Sequence, residues 1–167
     1  SVQKDEFDNY LVSARYTHTI TYINGTSGDI IWILGGKRNM FKDLDDGFAT
    51  NFAWQHDARL HSKTEFPELF HEDIARHGSS KEINGVTKQL ITLFDNSAED
   101  VEHTLDSSRG LLLEVTYPSP HLPSFQPDLA KRDAAQTQDD RYLAKIVRTY
   151  DHPQGPLSTS QGSLQVI

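Results

Sequence analysis

The sequence predicts an all-β fold, and three observations carry that expectation. Short runs are dense in β-branched and aromatic residues, turn-forming residues separate them, and one series of three runs occurs twice. The first series is Tyr10 to Arg15, Thr19 to Ile23 and Ile30 to Leu34. Asn24-Gly25 and Ser27-Gly28-Asp29 lie between its last two runs. Asn and Gly tolerate positive φ, so an antiparallel meander is expected. Leu90 to Phe94, Leu111 to Thr116 and Leu143 to Tyr150 repeat the order. Trp54 to Leu60 precedes this second series and Ser160 to Ile167 follows it, each expected as the innermost strand of its own unit.

Three inserts interrupt the runs. Phe66 to His77 has the pattern of a short helix, with Pro67 in its first turn. Asn96 to Arg109 is polar and acidic and reads as a loop. Pro118 to Arg141 holds four prolines, followed by one or two helical turns over Asp128 to Ala135. Units of four antiparallel strands arranged radially make a propeller, usually of about 4–8 blades. The chain is then expected to be a partial β-propeller, about two four-stranded blades of a larger one. Residues 1–48 would be the outer strands of one blade, 49–153 a complete blade with inserts, and 154–167 the first strand of the next. Such a piece has unpaired sheet edges, which favour self-association.

Composition narrows the function classes. The 167 residues suffice for one domain with a sizeable core. A net charge of -8 argues against nonspecific nucleic-acid binding, and any anion site must rely on local cations. No apolar run reaches the ~20 residues that span a bilayer, and no charged-then-apolar leader opens the chain, although Ser1 is not a natural translation start. With no cysteine there are no disulfides and no thiolate zinc site. No metal is expected elsewhere: Asp43-Leu44-Asp45-Asp46-Gly47 lacks the alternation and terminal Glu of a calcium loop and reads as a solvated turn. His71 and His77 lack metal-ligand spacing. No phosphate loop or serine nucleophile elbow is present, and no cofactor is expected. Asn24-Gly25-Thr26 is a glycosylation sequon in a turn. Trp32 and Trp54 are expected to pack between sheets.

Four segments carry chemistry or its setting: Tyr10-Leu11-Val12-Ser13-Ala14-Arg15, Gly28 to Gly36, Trp54-Gln55-His56-Asp57-Ala58-Arg59-Leu60, and Gln89 to Asn96. A histidine and an arginine at the ends of different strands suit a tetrahedral oxyanion. In this order the segments resemble the arylsulfotransferase family of β-propellers, in particular its fungal-type branch, from about Asp8 to Ile167. The resemblance implies sulfuryl transfer from an aryl sulfate to a phenol, with small aromatic sulfates and phenols as substrates and an extracytoplasmic or secreted setting.

It also implies that His56, in the family's Gln-His-x-Ala context, is the nucleophile that carries the sulfuryl group. Imidazole suits that role because its neutral nitrogen is nucleophilic near neutral pH. Arg15 matches the family's strand-end arginine and would hold the sulfonate oxygens. His18 is a candidate for the pocket mouth. A regular strand would turn Asp57 away from His56. The family's His-x-Asn-Ser motif falls just upstream of Ser1, so the isolated chain is expected to be inactive. The alternative is a non-catalytic propeller fragment serving as a binding or interaction scaffold, in which His56 merely lines a channel and Arg15 makes an ion pair.

Overall fold

A computed structural model describes residues 1–62, 65, 67, 85–99, 102–103, 106–120, 140–151, 154–155 and 157–165. Each of the seven runs expected between residues 10 and 150 contains a strand, in two main sheets, although Arg15 belongs to a 3-10 turn and Trp54 and Gln55 lie before their strand begins. The first sheet joins β1 (Val2–Lys4), β2 (Tyr10–Ala14), β3 (Thr19–Ile23) and β4 (Ile30–Leu34) in sequence order. Every neighbour pair in it is antiparallel. Along β2, Leu11 and Ser13 point inward while Tyr10 is exposed, the period-two alternation that marks a strand with one buried face. The turn from β3 to β4 closes as its residues demand: the Asn24 side-chain carbonyl accepts the N–H groups of Thr26 and Ser27, both at 2.9 Å.

The second sheet is ordered β5-β11-β10-β7-β6, from β5 (Lys42–Asp43), β6 (His56–His61), β7 (Val86–Asp95), β10 (Arg109–Pro118) and β11 (Leu143–Asp151). Its last four strands form an antiparallel meander, with β7 and β10 in register from Arg109↔Asp95 to Pro118↔Val86. Two consecutive four-stranded meanders are consistent with a partial propeller. β5 adds to the outer edge of β11 in parallel, so the second sheet takes a strand from before the division expected at residue 48.

One core joins the sheets. Leu11, Ile20, Trp32 and Leu34 from the first meet Ile91, Leu93, Leu111 and Val115 from the second. Trp32 is fully buried between them, its ring 5.3 Å from Tyr22, 5.5 Å from Phe41 and 5.8 Å from Tyr117. The sheet edges are also tied together. The Gln3 amide accepts the Leu60 N–H at 2.7 Å and donates to the Leu60 carbonyl at 3.3 Å, taking the place of a backbone partner for β6.

Several expectations are corrected. The loop from Asn96 to Arg109 contains a small hairpin of β8 (Ala98–Glu99) and β9 (Glu102–His103). Ser160 to Gln165 forms no strand; the Gln161 backbone bonds to the side chains of Asn96 and His56 instead of a ladder partner. Trp54 is half-buried and stacks on an arginine rather than packing between sheets. Asp43 and Asp45 are more than a solvated turn, since Asp43 accepts the N–H groups of Asp45 and Thr50 and Asp45 accepts the Ile146 N–H of β11. The expected helices over 66–77 and 128–135 lie outside the described residues.

Candidate functional site

Arg15 stands where β2 ends. The chain makes one 3-10 turn over Arg15–Thr17, then His18 takes a left-handed conformation (φ 53°) and sends its N–H back to the Arg15 carbonyl at 3.2 Å before β3 begins. This tight corner pushes the Arg15 side chain out along the sheet end, where the Trp54 ring receives it. The guanidinium carbon lies 4.1 Å from the Trp54 centroid and 5.4 Å from that of Tyr16. Planar stacking of this kind holds a guanidinium flat while leaving its edge for hydrogen bonds. Nη2 donates to the Thr159 carbonyl at 2.9 Å. Nε is buried and finds no acceptor among the described residues.

His56 opens β6 on an irregular backbone. Trp54 (φ 49°) and Asp57 (φ 51°) are both left-handed, and the ladder to β7 shifts register between His56 and Arg59. Such a conformation is rare for a residue as large as Trp and is held only by its surroundings. Asp57 does not orient the imidazole, but regular alternation is not the reason. Its Oδ1 is gripped by Arg59 through Nε at 2.8 Å and Nη2 at 2.6 Å. The Gln161 N–H donates to His56 Nε2 at 3.3 Å, which makes Nε2 the lone-pair nitrogen. Burial and the Arg15 charge hold the proton affinity of His56 below that of an ordinary imidazole, so the ring favours its neutral form.

Gln55, between Trp54 and His56, joins these two corners. It is fully buried, and the two N–H groups of its Nε2 are shared among Ser13 Oγ (3.2 Å), the Ala14 carbonyl (3.2 Å) and the Thr19 carbonyl (2.9 Å). The amide therefore locks the strand that bears His56 to the corner that bears Arg15. The two side chains, from different sheets, reach the same short stretch: one binds Thr159, the other Gln161. A lone-pair nitrogen beside a fixed guanidinium can accept an electrophilic group and steady the charge on its oxygens.

The model of the arylsulfotransferase (ASST) family matches residues 1–167. The chain belongs to the arylsulfotransferase family. No curated protein and no solved structure matches it. The activity of arylsulfotransferases in general is aryl sulfotransfer, with aryl sulfates and phenols as the substrate classes.

In this arylsulfotransferase chain the other expected residues are placed as follows. His18 is half-buried at the corner after Arg15. Asn24 lies on the β3–β4 turn, its carbonyl oxygen committed to that turn. Among the described residues no three His, Cys, Asp or Glu groups gather to hold a metal, and no helix is long and apolar enough to cross a membrane.

Sequence reasoning missed the supports. Asp95 and Arg109, buried at the facing ends of β7 and β10, pair at 3.0 Å. Asp95 also accepts the Ala53 N–H at 3.0 Å, and Arg109 donates to the Phe48 carbonyl at 3.2 Å. The pair thus fixes the segment that leads into Trp54 and His56. His61 was missed too. Its Nδ1 meets Glu65 Oε2 at 2.6 Å and its Nε2 meets Thr92 Oγ1 at 2.7 Å. That order of hydroxyl, imidazole and carboxylate matches a hydrolytic triad, but Thr92 has no exposed surface and no substrate can reach its oxygen. Period-two geometry puts Thr92 on the face of Leu90, the register partner of His61, but Leu90 to Leu93 are buried on both faces, so no alternation in the sequence marked the contact.

Proposed function

We propose that this chain carries part of a sulfuryl-transfer site, with His56 as nucleophile and Arg15 as the group that holds the sulfonate oxygens. In the complete protein it moves a sulfuryl group from an aryl sulfate to a phenol. The observation that carries this reading is the convergence of a neutral-leaning imidazole and a stacked guanidinium on one short stretch, from two sheets. In the proposed reaction His56 Nε2 attacks sulfur, the bond from sulfur to the aryl oxygen breaks, and the phenolate leaves. A deprotonated acceptor phenol then attacks the same sulfur, the N–S bond breaks, and the imidazole is restored. Arg15 offsets charge on the equatorial oxygens at both steps.

The same proposal takes the two meanders as neighbouring blades of a propeller from the fungal-type branch, working outside the cytoplasm. The test uses the full-length protein and 4-nitrophenyl sulfate with a phenol acceptor. His56→Ala is expected to release no 4-nitrophenolate above background and to form no acid-labile sulfuryl adduct. Turnover by that variant at the parent rate would leave the scaffold reading in its place.

A further inference from the structure

We propose that residues 157–164 are a displaceable strap: their backbone occupies Arg15 and His56 in the resting molecule, and a tetrahedral oxyanion lifts it. The proposal concerns regulation of the same site and rests on the oxyanion role given to Arg15 above.

The strap is seated at both ends and strained in the middle. At one end Ser108 Oγ accepts the Ser158 N–H at 2.8 Å. At the other, Leu164 lies so close over Gly110 that a Cβ there would sit 2.8 Å from Leu164 Cδ1. Between them, the Thr159 carbonyl takes Arg15 Nη2 and the Gln161 N–H takes His56 Nε2. Asn96 Nδ2 donates to the Gln161 carbonyl at 3.3 Å and helps to hold that peptide over the imidazole. Gln161 (φ 63°) and Gly162 (φ 146°) are both in the positive region, and a Cβ at Gly162 would fall 2.2 Å from the Phe94 ring. The backbone can cross Phe94 only because residue 162 is glycine. Thr159, Ser160 and Gln161 are exposed, so nothing among the described residues covers the part that moves.

Hydrogen-bond chemistry explains why such a strap yields. Nε and Nη2 form one edge of the guanidinium, and that edge suits two oxygens of a single anion. The strap offers it one carbonyl. Nη2 is satisfied, whereas Nε stays buried without an acceptor among the described residues. A buried donor on a charged group is costly to leave unmet. A sulfonate supplies oxygens to both nitrogens and bears the charge a carbonyl lacks, so it competes well for this edge. Its arrival also frees the His56 Nε2 lone pair from the Gln161 N–H, the condition for attack on sulfur. The strap is thus a partial mimic of the anion, and the site opens to the ligand that completes the contact.

The experiment combines sulfate titration by calorimetry with hydrogen exchange of the 157–164 peptide, in the full chain, with inorganic sulfate as probe. Gly162→Ala unseats the strap at Phe94, and Leu164→Ser releases its other anchor and guards against a folding defect in the first variant. Sulfate is expected to speed exchange across 157–164, and both variants are expected to bind sulfate at least about fivefold more tightly, because the closed state no longer competes. Arg15→Ala is expected to lose sulfate binding. Arg15-dependent binding with unchanged exchange, and with equal or weaker affinity in both variants, would overturn the strap and leave the oxyanion role of Arg15 standing. Absence of sulfate binding in all proteins, the released variants included, would overturn the oxyanion role itself and the strap with it.

Discussion

His56 and His61 lie on the same strand and differ in almost everything else. His61 is saturated: a carboxylate holds one ring nitrogen at 2.6 Å and a buried hydroxyl the other at 2.7 Å. The His56 ring accepts a backbone N–H at 3.3 Å, on a strand start bent by two left-handed residues. Burial and Arg15 depress its proton affinity, while the carboxylate of its neighbour Asp57 is committed to Arg59. The contrast teaches that an imidazole whose two nitrogens are both well bonded is a structural joint. One with a lone pair held by a long, replaceable bond keeps capacity for chemistry.

The sharpest way to break the comparison is to remove each ring in turn from the full-length protein. His56→Ala is expected to abolish aryl sulfate turnover while leaving urea stability nearly unchanged. His61→Ala is expected to keep turnover within about tenfold and to cost ~1–3 kcal/mol of stability, because Thr92 loses its partner in the sheet. If the two variants exchange these outcomes, the assignment of chemistry to His56 fails.

The next effect falls on the support beneath His56. Arg109→Ala strips the counterion from Asp95, which has no exposed surface, and an uncompensated buried carboxylate costs ~3–5 kcal/mol. Chemical denaturation should register that loss. A change under ~1 kcal/mol would mean that the Ala53 and Ser97 N–H groups suffice to hold the carboxylate. Smaller in energy, Arg15→Ala is expected to slow turnover by ~100-fold. Arg15→Lys should recover little of it, since an ammonium cannot stack on Trp54 or present a two-pronged edge. Equal rates for the Arg15→Lys variant and the parent would reduce Arg15 to a point charge.

Much of this was legible in the sequence, for a physical reason. Strand positions follow from local pattern, and runs such as Ile30 to Leu34 admit no other regular structure once their turns are read. His56 and Arg15 were singled out because the family resemblance marks residue types in order, and the structure brings both to one short stretch; their chemical roles are the proposal made above. The supports were not legible. Gln55 acts through acceptors 36 to 42 residues away, and Asp95 and Arg109 meet only because β7 and β10 align. The strand expected at Ser160 is replaced by side-chain bonding, since the Gln161 carbonyl and N–H go to Asn96 and His56, and period-two alternation does not report such partners. The expectation for Trp54 fails for a related reason: a large apolar ring signals burial, and only the left-handed turn before His56 reveals that it faces a cation.

The smallest effect separates the two histidine regions by pH. The folded pKa of His56 is lowered, so folding favours its neutral ring, and the associated stability is fully present above the ordinary imidazole value of 6.5. It is lost as pH falls from 6.5 through the folded pKa, where the ring must charge beside Arg15. The folded pKa of Glu65 is also lowered: burial opposes this, but the His61 hydrogen bond and the Ser62 groups outweigh it. Its contribution is present above the ordinary carboxyl value of 4.5 and is lost only below that. Urea unfolding should therefore show two separate windows of declining stability on acidification. His56→Ala should flatten the one just below 6.5 and spare the other, and Glu65→Gln should do the reverse. A single window removed by either substitution would mean that the two regions titrate as one and that the contrast along β6 is not functional.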